Sequence, residues 1–591
     1  MKNRVKGKGF YFVTFAFSAM VRMLQIAGEF QIRLALDDIG MLASTAYLAG
    51  YDWSSVVGCT NYYGVVYYML FAPVLKYISN PLTVWLVIII ANMVLQSLAC
   101  VLSYHIAIRY FKFQPNLLTS LIAVICSFVV ATYPCMSQEP VLYFLTWLLV
   151  LVMLKMRAVS RSKVRSYLYS VILALICAYA YLVHSRAIVF VVALFLTFLV
   201  LVYYDRSKGK YFLCFVVTVI LAMLLASVMQ KGIIAVLWKQ KETQLKNVNV
   251  EVSADTIKTM LTPTGIRVLF DMFVSNLFTE AGRTFGINIL AIVMGCMLVL
   301  GTKIKKFAIS ITLDKTIILV FSLVCYLIGV LGVCVTWGKG VVPVYFTEEV
   351  NNYYKGFIYF RYSATFLGPA VLVALGECLY NADLRVKMKL PVIISELFIV
   401  WYFFLFIIEK IENNRYANSA VVKYFNTEVS GFDIVNYKVT VMMVFIFTSL
   451  FFVEWRKVNI KGVILLFCIL CSLIPYVRNG SGLIPKPQLK KTVDGGYSLI
   501  KYLEGMNVLP DTIYCPDKTY AYGYQFQLKE YHIIVKYPTG ERNEIMFSSR
   551  GKKTDNIPEG FEVVQLDSNE WVWTNDKDLY EIIMIYASQK E

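Results

Sequence analysis

Long apolar stretches alternate along the chain with short polar segments. The apolar stretches are almost free of charge, as at 82–103, 317–335 and 391–408. About twenty apolar residues in a helix cross the roughly 30 Å hydrocarbon core of a bilayer. Helices and closed barrels are the structures that satisfy their own backbone hydrogen bonds inside lipid. The pattern predicts an all-α polytopic membrane protein.

Lysine and arginine cluster in the short segments between these stretches, for example at 2–8, 155–165 and 303–306. Loops rich in these residues stay on the cytoplasmic side of a membrane. Placing every basic cluster inside predicts thirteen membrane-spanning helices, with the N-terminus in the cytoplasm and the C-terminus outside. The predicted spans are 10–28, 82–104, 117–134, 140–156, 166–183, 187–204, 211–229, 285–301, 316–336, 362–380, 391–408, 439–453 and 462–476.

The segment 62–78 is also apolar, but a span there would place Arg109 and the cluster 155–165 on opposite sides of the membrane. The segment is rich in tyrosine and contains Pro73 and Lys76. Tyrosine is enriched at membrane interfaces, and amphipathic helices lie in that plane. We therefore expect an interfacial helix at about 62–78, which keeps every basic cluster inside.

Most of the non-membrane chain then falls on the outer face. Long connections tend to carry function in compact proteins, so we expect any chemistry on that face. The sequence divides into a transmembrane domain at 1–476 and a soluble extracytoplasmic domain at 477–591. The predicted outer segments are 29–81, 230–284, 337–361, 409–438 and 477–591.

The C-terminal domain follows a linker rich in Pro and Gly, RNGSGLIPKP. Its segments TIYC, HIIVKY, EVVQL and EWVWT have the apolar and β-branched composition of strands. Helices are expected at 496–505 and 576–588. This alternation predicts a small α/β domain, in which Trp571 and Trp573 alternate along one strand and serve packing.

Composition agrees with a membrane protein, since 58% of residues are hydrophobic and 16% are charged. A net charge of +18 is compatible with nucleic-acid binding, but the basic residues form short clusters between apolar stretches. This distribution indicates membrane orientation and argues against nucleic acid as a partner. Many of the thirteen cysteines lie in apolar runs, so they are interpreted as small core residues and not as a disulfide framework.

Two adjacent carboxylates, Asp37 and Asp38, stand in the apolar sequence LALDDIGML just beyond the first span. Burial near a bilayer raises the pKa of a carboxylate, and two adjacent ones repel each other. Such a pair persists when it binds a cation or acts as a base. The alternative is an ordinary helix start, which Asp favours. The residues alone leave both readings open.

A further carboxylate, Glu139, lies in the turn YPCMSQEP on the same predicted face. Pro134 and Pro140 bracket this turn and end both neighbouring helices. Glu139 is therefore a candidate to help Asp37 hold an acceptor or a metal, whereas a single Glu in a turn is more often simply solvated.

Cations are scarce on the predicted outer face, which makes each of them informative. Arginine binds phosphate oxygens through two parallel hydrogen bonds, but a single arginine also snorkels to lipid headgroups. Only several cations that converge on one cavity would indicate a phosphate site, and the sequence does not establish convergence. The candidates are His184, Arg186, Arg283, Arg361 and its neighbour Tyr362.

These features together resemble the GT-C superfamily of membrane glycosyltransferases, most closely its protein-mannosyltransferase-like and aminoarabinose-transferase-like members. The resemblance lies in LALDDIGMLASTAYLAGYDW, the segment NYYGVVYYMLFAPVLKYI, the acidic turn SQEP and the late IYFRY. It covers most of residues 1–480. The sequence has Tyr62-Tyr63-Gly64 where the family has Pro-Pro, and Phe360 where related enzymes have glycine in Y-G-R-Y.

The resemblance implies transfer of a sugar from a polyprenyl-phosphate carrier to a glycan, lipid or protein acceptor on the outer face. It assigns the general base of an inverting reaction to Asp37, with Asp38 as the second candidate. It assigns the carrier phosphate to Arg186, Arg361 and Arg283. Some relatives use a divalent cation and others do not, so the resemblance leaves the cofactor and any metal ligands open.

Two other classes of function remain open at this stage. A flippase or polysaccharide polymerase would handle the same lipids without Asp37 as base. A transporter is the other alternative, although the sequence has no internal repeat and no paired broken spans to support it. The sugar, the acceptor and the length of the carrier are not encoded in any recognisable motif.

Overall fold

A computed structural model describes most of the chain. The described residues are 2–26, 32, 34, 36–128, 137–159, 162–238, 254–301, 304, 308–347, 352–359, 361–412, 441–442, 444–445, 448, 461–470, 494–541, 543–549, 556–567 and 570–589.

The protein is a bundle of long apolar helices followed by a small α/β domain. Helices α1 to α17 are Lys2–Ile26, Leu36–Ala49, Ser54–Gly58, Ala72–Tyr77, Pro81–Arg109, Leu117–Phe128, Glu139–Ala158, Lys163–Val183, Ile188–Tyr204, Gly209–Leu237, Ala254–Met260, Pro263–Thr284, Ile287–Gly301, Leu313–Val341, Arg361–Tyr380, Ala382–Tyr402 and Ile408–Glu412. Short 3₁₀ turns precede α4, α9, α10 and α15. A π-helical turn at Phe403–Ile407 joins α16 to α17.

Within the described residues, eight helices are long and apolar enough to cross a membrane. Four shorter apolar helices coincide with further predicted spans: Gly9–Leu24, Leu117–Ser127, Ile287–Gly301 and Lys461–Leu470. The predicted span 439–453 lies mostly outside the described residues. The polytopic all-α fold with a small C-terminal α/β domain is confirmed.

Helix ends differ from the predicted spans where charge interrupts an apolar run without breaking the helix. Helix α10 continues to Leu237, past Lys231 and Gly232, although the predicted span ends at 229. Helix α16 begins at Ala382, so its first turns carry the basic residues that were placed in a loop. Hydropathy locates the membrane-crossing part of a helix, whereas backbone hydrogen bonding continues beyond it.

The centre of the bundle is formed by α7 and α15, whose apolar windows are mostly buried. Helix α10 is mostly exposed along its apolar window. In a membrane, such an exposed apolar surface faces lipid. Helices α7 and α15 therefore lie inside the bundle, where their polar groups are shielded from water.

Ion pairs mark one end of the bundle. Arg157, near the end of α7, pairs with Asp314 at the start of α14. Lys315 pairs with Glu377 near the end of α15. These residues lie next to the basic clusters that were predicted to be cytoplasmic, whereas Glu139 begins α7 at the opposite end.

The segment 62–78 is helical only at Tyr68–Phe71 and Ala72–Tyr77. These two segments follow each other directly, so helix covers the second half of the predicted interfacial segment, and its position at the membrane interface stays a prediction. Four of its tyrosines, Tyr62, Tyr63, Tyr67 and Tyr68, are buried in the protein, whereas Tyr77 is exposed. Tyr67 Oη donates to Asn92 Oδ1 at 2.7 Å, and Tyr68 Oη donates to the carbonyl oxygen of Ser137 at 3.0 Å.

The C-terminal domain is built on a five-stranded mixed sheet with the order β2-β1-β3-β5-β4. Strand β1 pairs in parallel with β2 and β3, and β5 runs antiparallel to β3 and β4. The strands are Thr512–Tyr514, Ile533–Ile534, Glu544–Ser548, Glu562–Asp567 and Glu570–Thr574. The domain helices are Asp494–Gly505, Lys518–Gln527 and Lys577–Ser588.

Four strands and two helices of this domain agree with the prediction, whereas β3 and helix Lys518–Gln527 were missed. Parallel pairing of β1 with β2 requires a crossover connection, and helix Lys518–Gln527 supplies it. The predicted domain boundary at 476–477 lies outside the described residues. Trp573 is buried and donates to Ser548 Oγ at 3.1 Å, which agrees with a packing role.

The C-terminal domain is bound by several hydrogen bonds to the first loop of the membrane domain, which is the segment between α1 and α5 that contains α2, α3 and α4. Trp53 Nε1 donates to the carbonyl oxygen of Lys529 at 3.0 Å. Lys529 Nζ donates to the carbonyl oxygens of Leu75 and Ile78, the latter at 2.7 Å. The backbone N–H of Val535 donates to a serine hydroxyl of the same loop. These contacts fix helix Lys518–Gln527 relative to the first loop.

Candidate functional site

The acidic pair lies at the start of a helix. Asp37 and Asp38 occupy the first turn of α2 and are both half-buried. A carboxylate is stabilised there by the unpaired backbone N–H groups and by the helix dipole. The pair therefore lies at a helix start, as the simpler of the two interpretations predicted. It does not exclude a second role, because neighbouring side chains approach Asp37.

Tyr63 is hydrogen-bonded to the Asp37 carboxylate. Burial, reinforced by the negative charge of Asp37, raises the pKa of Tyr63 to about 12. The phenol therefore stays protonated at neutral pH and donates to Asp37. This contact helps to orient the carboxylate.

Gly64 allows Tyr63 to reach this position. Its φ is +117°, a backbone conformation that side chains disfavour. A Cβ at this residue would lie 2.1 Å from the carbonyl oxygen of Val183, at the end of α8. Gln138 Nε2 donates to the carbonyl oxygen of Gly64 at 3.3 Å. The first loop is thus in direct contact with the turns that carry His184 and Glu139.

The turn between α8 and α9 places His184 and Arg186 beside this loop. His184 Nδ1 accepts a hydrogen bond of 3.2 Å from the backbone N–H of Arg186, which caps the 3₁₀ turn Ser185–Ala187. The ring of His184 lies 6.0 Å from the ring of Tyr63 and 6.2 Å from that of Tyr362. His184 therefore lies between the first loop and the start of α15.

Arg186 is held by contacts from two directions. Its Nη2 donates to Glu139 Oε1 at 2.8 Å, and its guanidinium lies 4.4 Å from the centre of the Tyr362 ring. An ion pair and a cation–π contact together fix the plane of the guanidinium. Glu139 is 2% exposed, so the ion pair is shielded from water.

Two nitrogens of the same guanidinium, Nε and Nη1, are buried, and neither has a hydrogen-bond partner among the described residues. Buried N–H donors in native proteins are nearly always paired with protein, water or ligand. Nε and Nη1 lie on different sides of the guanidinium, so they are two separate donors and not one parallel pair. Arg186 therefore has two buried donors whose partners are not among the described residues.

The structure thus brings together several residues that are far apart in sequence. Contacts run from Asp37 through Tyr63 to His184, and from His184 through Tyr362 to Arg186 and Glu139. Asp38 adjoins Asp37 on the same turn. The side chains of Arg283 and Arg361 lie outside the described residues, so their predicted roles stay predictions.

Two aromatic residues at the site were not singled out as functional in the sequence. Tyr63 belongs to the Tyr-Tyr-Gly segment that was noted only as a departure from the family pattern. Tyr359 lies close enough to act electrostatically on Tyr63, and its ring is 4.8 Å from that of Tyr362. The high tyrosine content of the segment 62–78 was the available signal for Tyr63, but it was attributed to the membrane interface.

The carboxylates at the site do not form a recognisable metal-ligand set. Glu139 is paired with Arg186, and Asp37 accepts from Tyr63. In the part of the chain that the structure describes, no group of three or more His, Cys, Asp or Glu side chains is arranged to hold a metal ion.

Comparison with known proteins gives a match in structure only. No family model matches the chain, and no curated protein matches it. The structure is similar to the crystal structure of ArnT from Cupriavidus metallidurans in the apo state, with 12% identity and a TM-score of 0.49. It is also similar to that protein bound to undecaprenyl phosphate, with 12% identity and a TM-score of 0.46. Each match covers 97% of this chain and 99% of the other chain.

Proposed function

We propose that the protein is a glycosyltransferase that moves a sugar from a polyprenyl-phosphate-linked donor to an acceptor at the extracytoplasmic face of the membrane. The buried, unpaired donors Nε and Nη1 of Arg186 carry this proposal. They are donors suited to an external oxyanion, and they lie in the same cluster of side chains as the carboxylate of Asp37. The proposal also rests on the resemblance of the first loop and the SQEP turn to the GT-C superfamily.

Asp37 serves as the general base in the proposed reaction. It accepts the proton of the acceptor nucleophile while that nucleophile attacks the anomeric carbon from the face opposite the phosphate. The bond between the anomeric carbon and the phosphate oxygen breaks, and polyprenyl phosphate leaves with the bonding electrons. The configuration at the anomeric carbon is inverted. Tyr63 orients the base by donating to its carboxylate.

Arg186 binds the phosphate of the donor and stabilises the charge that develops as the phosphate leaves. Glu139 positions Arg186 through the 2.8 Å hydrogen bond, so we assign it a supporting role and no direct contact with substrate. Tyr362 holds the guanidinium from its face. This division replaces the sequence-based suggestion that Glu139 helps to hold the acceptor or a metal.

The distribution of charge supports an outward orientation of the site. The site lies at the beginning of α7, whereas Arg157, next to the basic clusters, lies at its end. If the basic end is cytoplasmic, the site and the C-terminal domain face outward. Polyprenyl-linked sugars presented on that side are then the donors available to it.

The decisive experiment compares Asp37→Asn with Asp38→Asn in the purified protein. We expect Asp37→Asn to reduce sugar transfer by about 10²–10⁴-fold, the range for a positioned general base. The variant should still retain the carrier lipid that co-purifies with the protein, as measured by mass spectrometry of the extracted lipid. Asp38→Asn should do less.

Full transfer activity in both single variants and in the double variant would overturn the proposal. A lipid flippase would tolerate these substitutions while still moving the carrier lipid across the membrane. Measurement of lipid translocation in vesicles therefore tests that alternative with the same proteins.

A further inference from the structure

The crossover helix of the C-terminal domain, Lys518–Gln527, has two faces of different character. Tyr520 and Tyr524 are four residues apart and share one face, because a helix returns to the same side about every 3.6 residues. Tyr524 stacks on Phe547 of β3 at 4.4 Å and donates to Glu570. This face is therefore occupied by the packing of the domain's own sheet.

Tyr522 lies between these two tyrosines in sequence and so projects from the other side of the helix. That side packs against α2 and α3 of the membrane domain. Burial, reinforced by electrostatic interactions with Cys59 and Asp37 of the first loop, raises the pKa of the Tyr522 hydroxyl. Tyr522, from the C-terminal domain, thus interacts with Asp37 of the first loop.

The Tyr522 hydroxyl is buried without a partner. The side chain is 4% exposed, and among the described residues Oη has no hydrogen-bond partner. A buried hydroxyl that makes no hydrogen bond carries a cost of about 1–3 kcal/mol. Packing does not require the hydroxyl, since phenylalanine would fill the same space. The helix that carries Tyr522 packs on α2, whose first turn carries Asp37, so this unpaired hydroxyl is placed to form its bond when substrate is present.

We infer that Tyr522 binds the acceptor substrate. Its Oη donates a hydrogen bond to an oxygen of that substrate, next to the hydroxyl or amine that Asp37 deprotonates. This inference rests on the proposed function. The acceptor side is favoured because Tyr522 approaches Asp37 from the C-terminal domain, whereas Arg186 belongs to the α8–α9 turn. The C-terminal domain then contributes to acceptor recognition as well as covering the membrane domain.

The test is Tyr522→Phe in the full-length protein, with Tyr520→Phe as the matched control on the opposite face of the same helix. The donor is the carrier-linked sugar that co-purifies with the protein, and a detergent extract of the cell envelope supplies the acceptor. Tyr522→Phe should raise the half-saturating amount of acceptor extract by about 2- to 13-fold, which corresponds to the loss of one neutral hydrogen bond. Half-saturation by the donor should stay unchanged, and so should the thermal unfolding temperature.

Three results would overturn the inference. One is unchanged acceptor saturation in Tyr522→Phe, another is an effect on donor saturation alone, and the third is an equal effect in Tyr520→Phe. If Asp37→Asn abolishes transfer in the same assay while Tyr522→Phe behaves like the unmodified protein, only this inference fails. If Asp37→Asn is fully active, the proposed function fails as well.

Discussion

Arg186 Nη2 lies 2.8 Å from Glu139 Oε1, and this pair joins the turn before α9 to the first turn of α7. The carboxylate sits where the α7 dipole favours negative charge. The pair thus fixes the arginine while leaving its Nε and Nη1 directed elsewhere. If the salt bridge engaged all three guanidinium nitrogens, Arg186 would have no donor left for a ligand.

Arg186→Lys keeps the charge but removes the planar guanidinium and its separate N–H donors. We expect carrier-lipid affinity to fall by about 10- to 150-fold, since a hydrogen bond to a charged group contributes roughly 1.5–3 kcal/mol. Binding of the purified protein to polyprenyl phosphate in detergent measures the change. Arg109→Lys, at an exposed position at the other end of the bundle, is the control. Equal losses in both variants would indicate a folding defect and contradict the assignment.

Tyr63→Phe removes the hydrogen bond that Tyr63 donates to Asp37. A hydrogen bond to a carboxylate favours its charged form, so its loss makes the carboxylate easier to protonate. The acid limb of the pH–rate profile for transfer should therefore move to higher pH, with a smaller effect on the rate at the plateau. A uniform loss of rate at all pH values would instead show that Tyr63 serves folding or substrate contact.

Gly64→Ala introduces a Cβ that would clash with the carbonyl oxygen of Val183 and would disfavour the φ of +117°. Strain of this kind costs about 1–2 kcal/mol before any clash is counted. We expect lower thermal stability together with a loss of transfer, because the clash displaces Tyr63 from His184. Gly50→Ala is the control, as it also has a positive φ but no atom near the new Cβ. If Gly64→Ala lost no more activity than this control, close contact with α8 would not matter.

Lys529→Met should weaken the attachment of the C-terminal domain. The ammonium group is buried and donates to two carbonyl oxygens that end helix α4, so its removal leaves these acceptors unpaired. The cost of about 1–3 kcal/mol for each buried unpaired group should appear as faster proteolysis of the domain. The exposed Lys577→Met is the control, and equal protease resistance in the two variants would refute the interpretation.

Cysteine labelling tests the orientation in the membrane. A thiol reagent that does not cross the bilayer should modify a cysteine introduced at the exposed position Asn507 and should spare one at Ala382, at the start of α16. The parent protein provides the background of native cysteines. Labelling of both positions from the same side would contradict an outer C-terminal domain.

The bundle was predictable from the sequence because the cost of burying charge in lipid limits where charged residues occur. The spans at α5, α7 and α14 agree closely with their apolar stretches for this reason. Helix α12 was missed although Thr262 caps its first turn and Pro263 occupies the first helical position. It lies in a segment that was treated only as an outer loop, so hydropathy outweighed the local helix signals.

The sequence identified individual residues of the site but not their arrangement in space. Glu139 and Arg186 were each candidates, and each had an ordinary explanation as a solvated or lipid-facing side chain. Only the fold shows that they pair and that Tyr362 covers the guanidinium. The contribution of Tyr522 depends on a crossover between two parallel strands, a long-range feature that leaves no local signal in the sequence.

The hydrogen bond from Trp53 Nε1 to the carbonyl oxygen of Lys529 joins positions 476 residues apart. During biosynthesis the first loop leaves the ribosome long before its partner exists, since synthesis proceeds at about 5–20 residues per second. For tens of seconds the inserted helices stand without the domain that docks on them. The Trp53 indole lacks this partner throughout that interval. A nascent chain lacks this docking contact until its final hundred or so residues have been translated and folded.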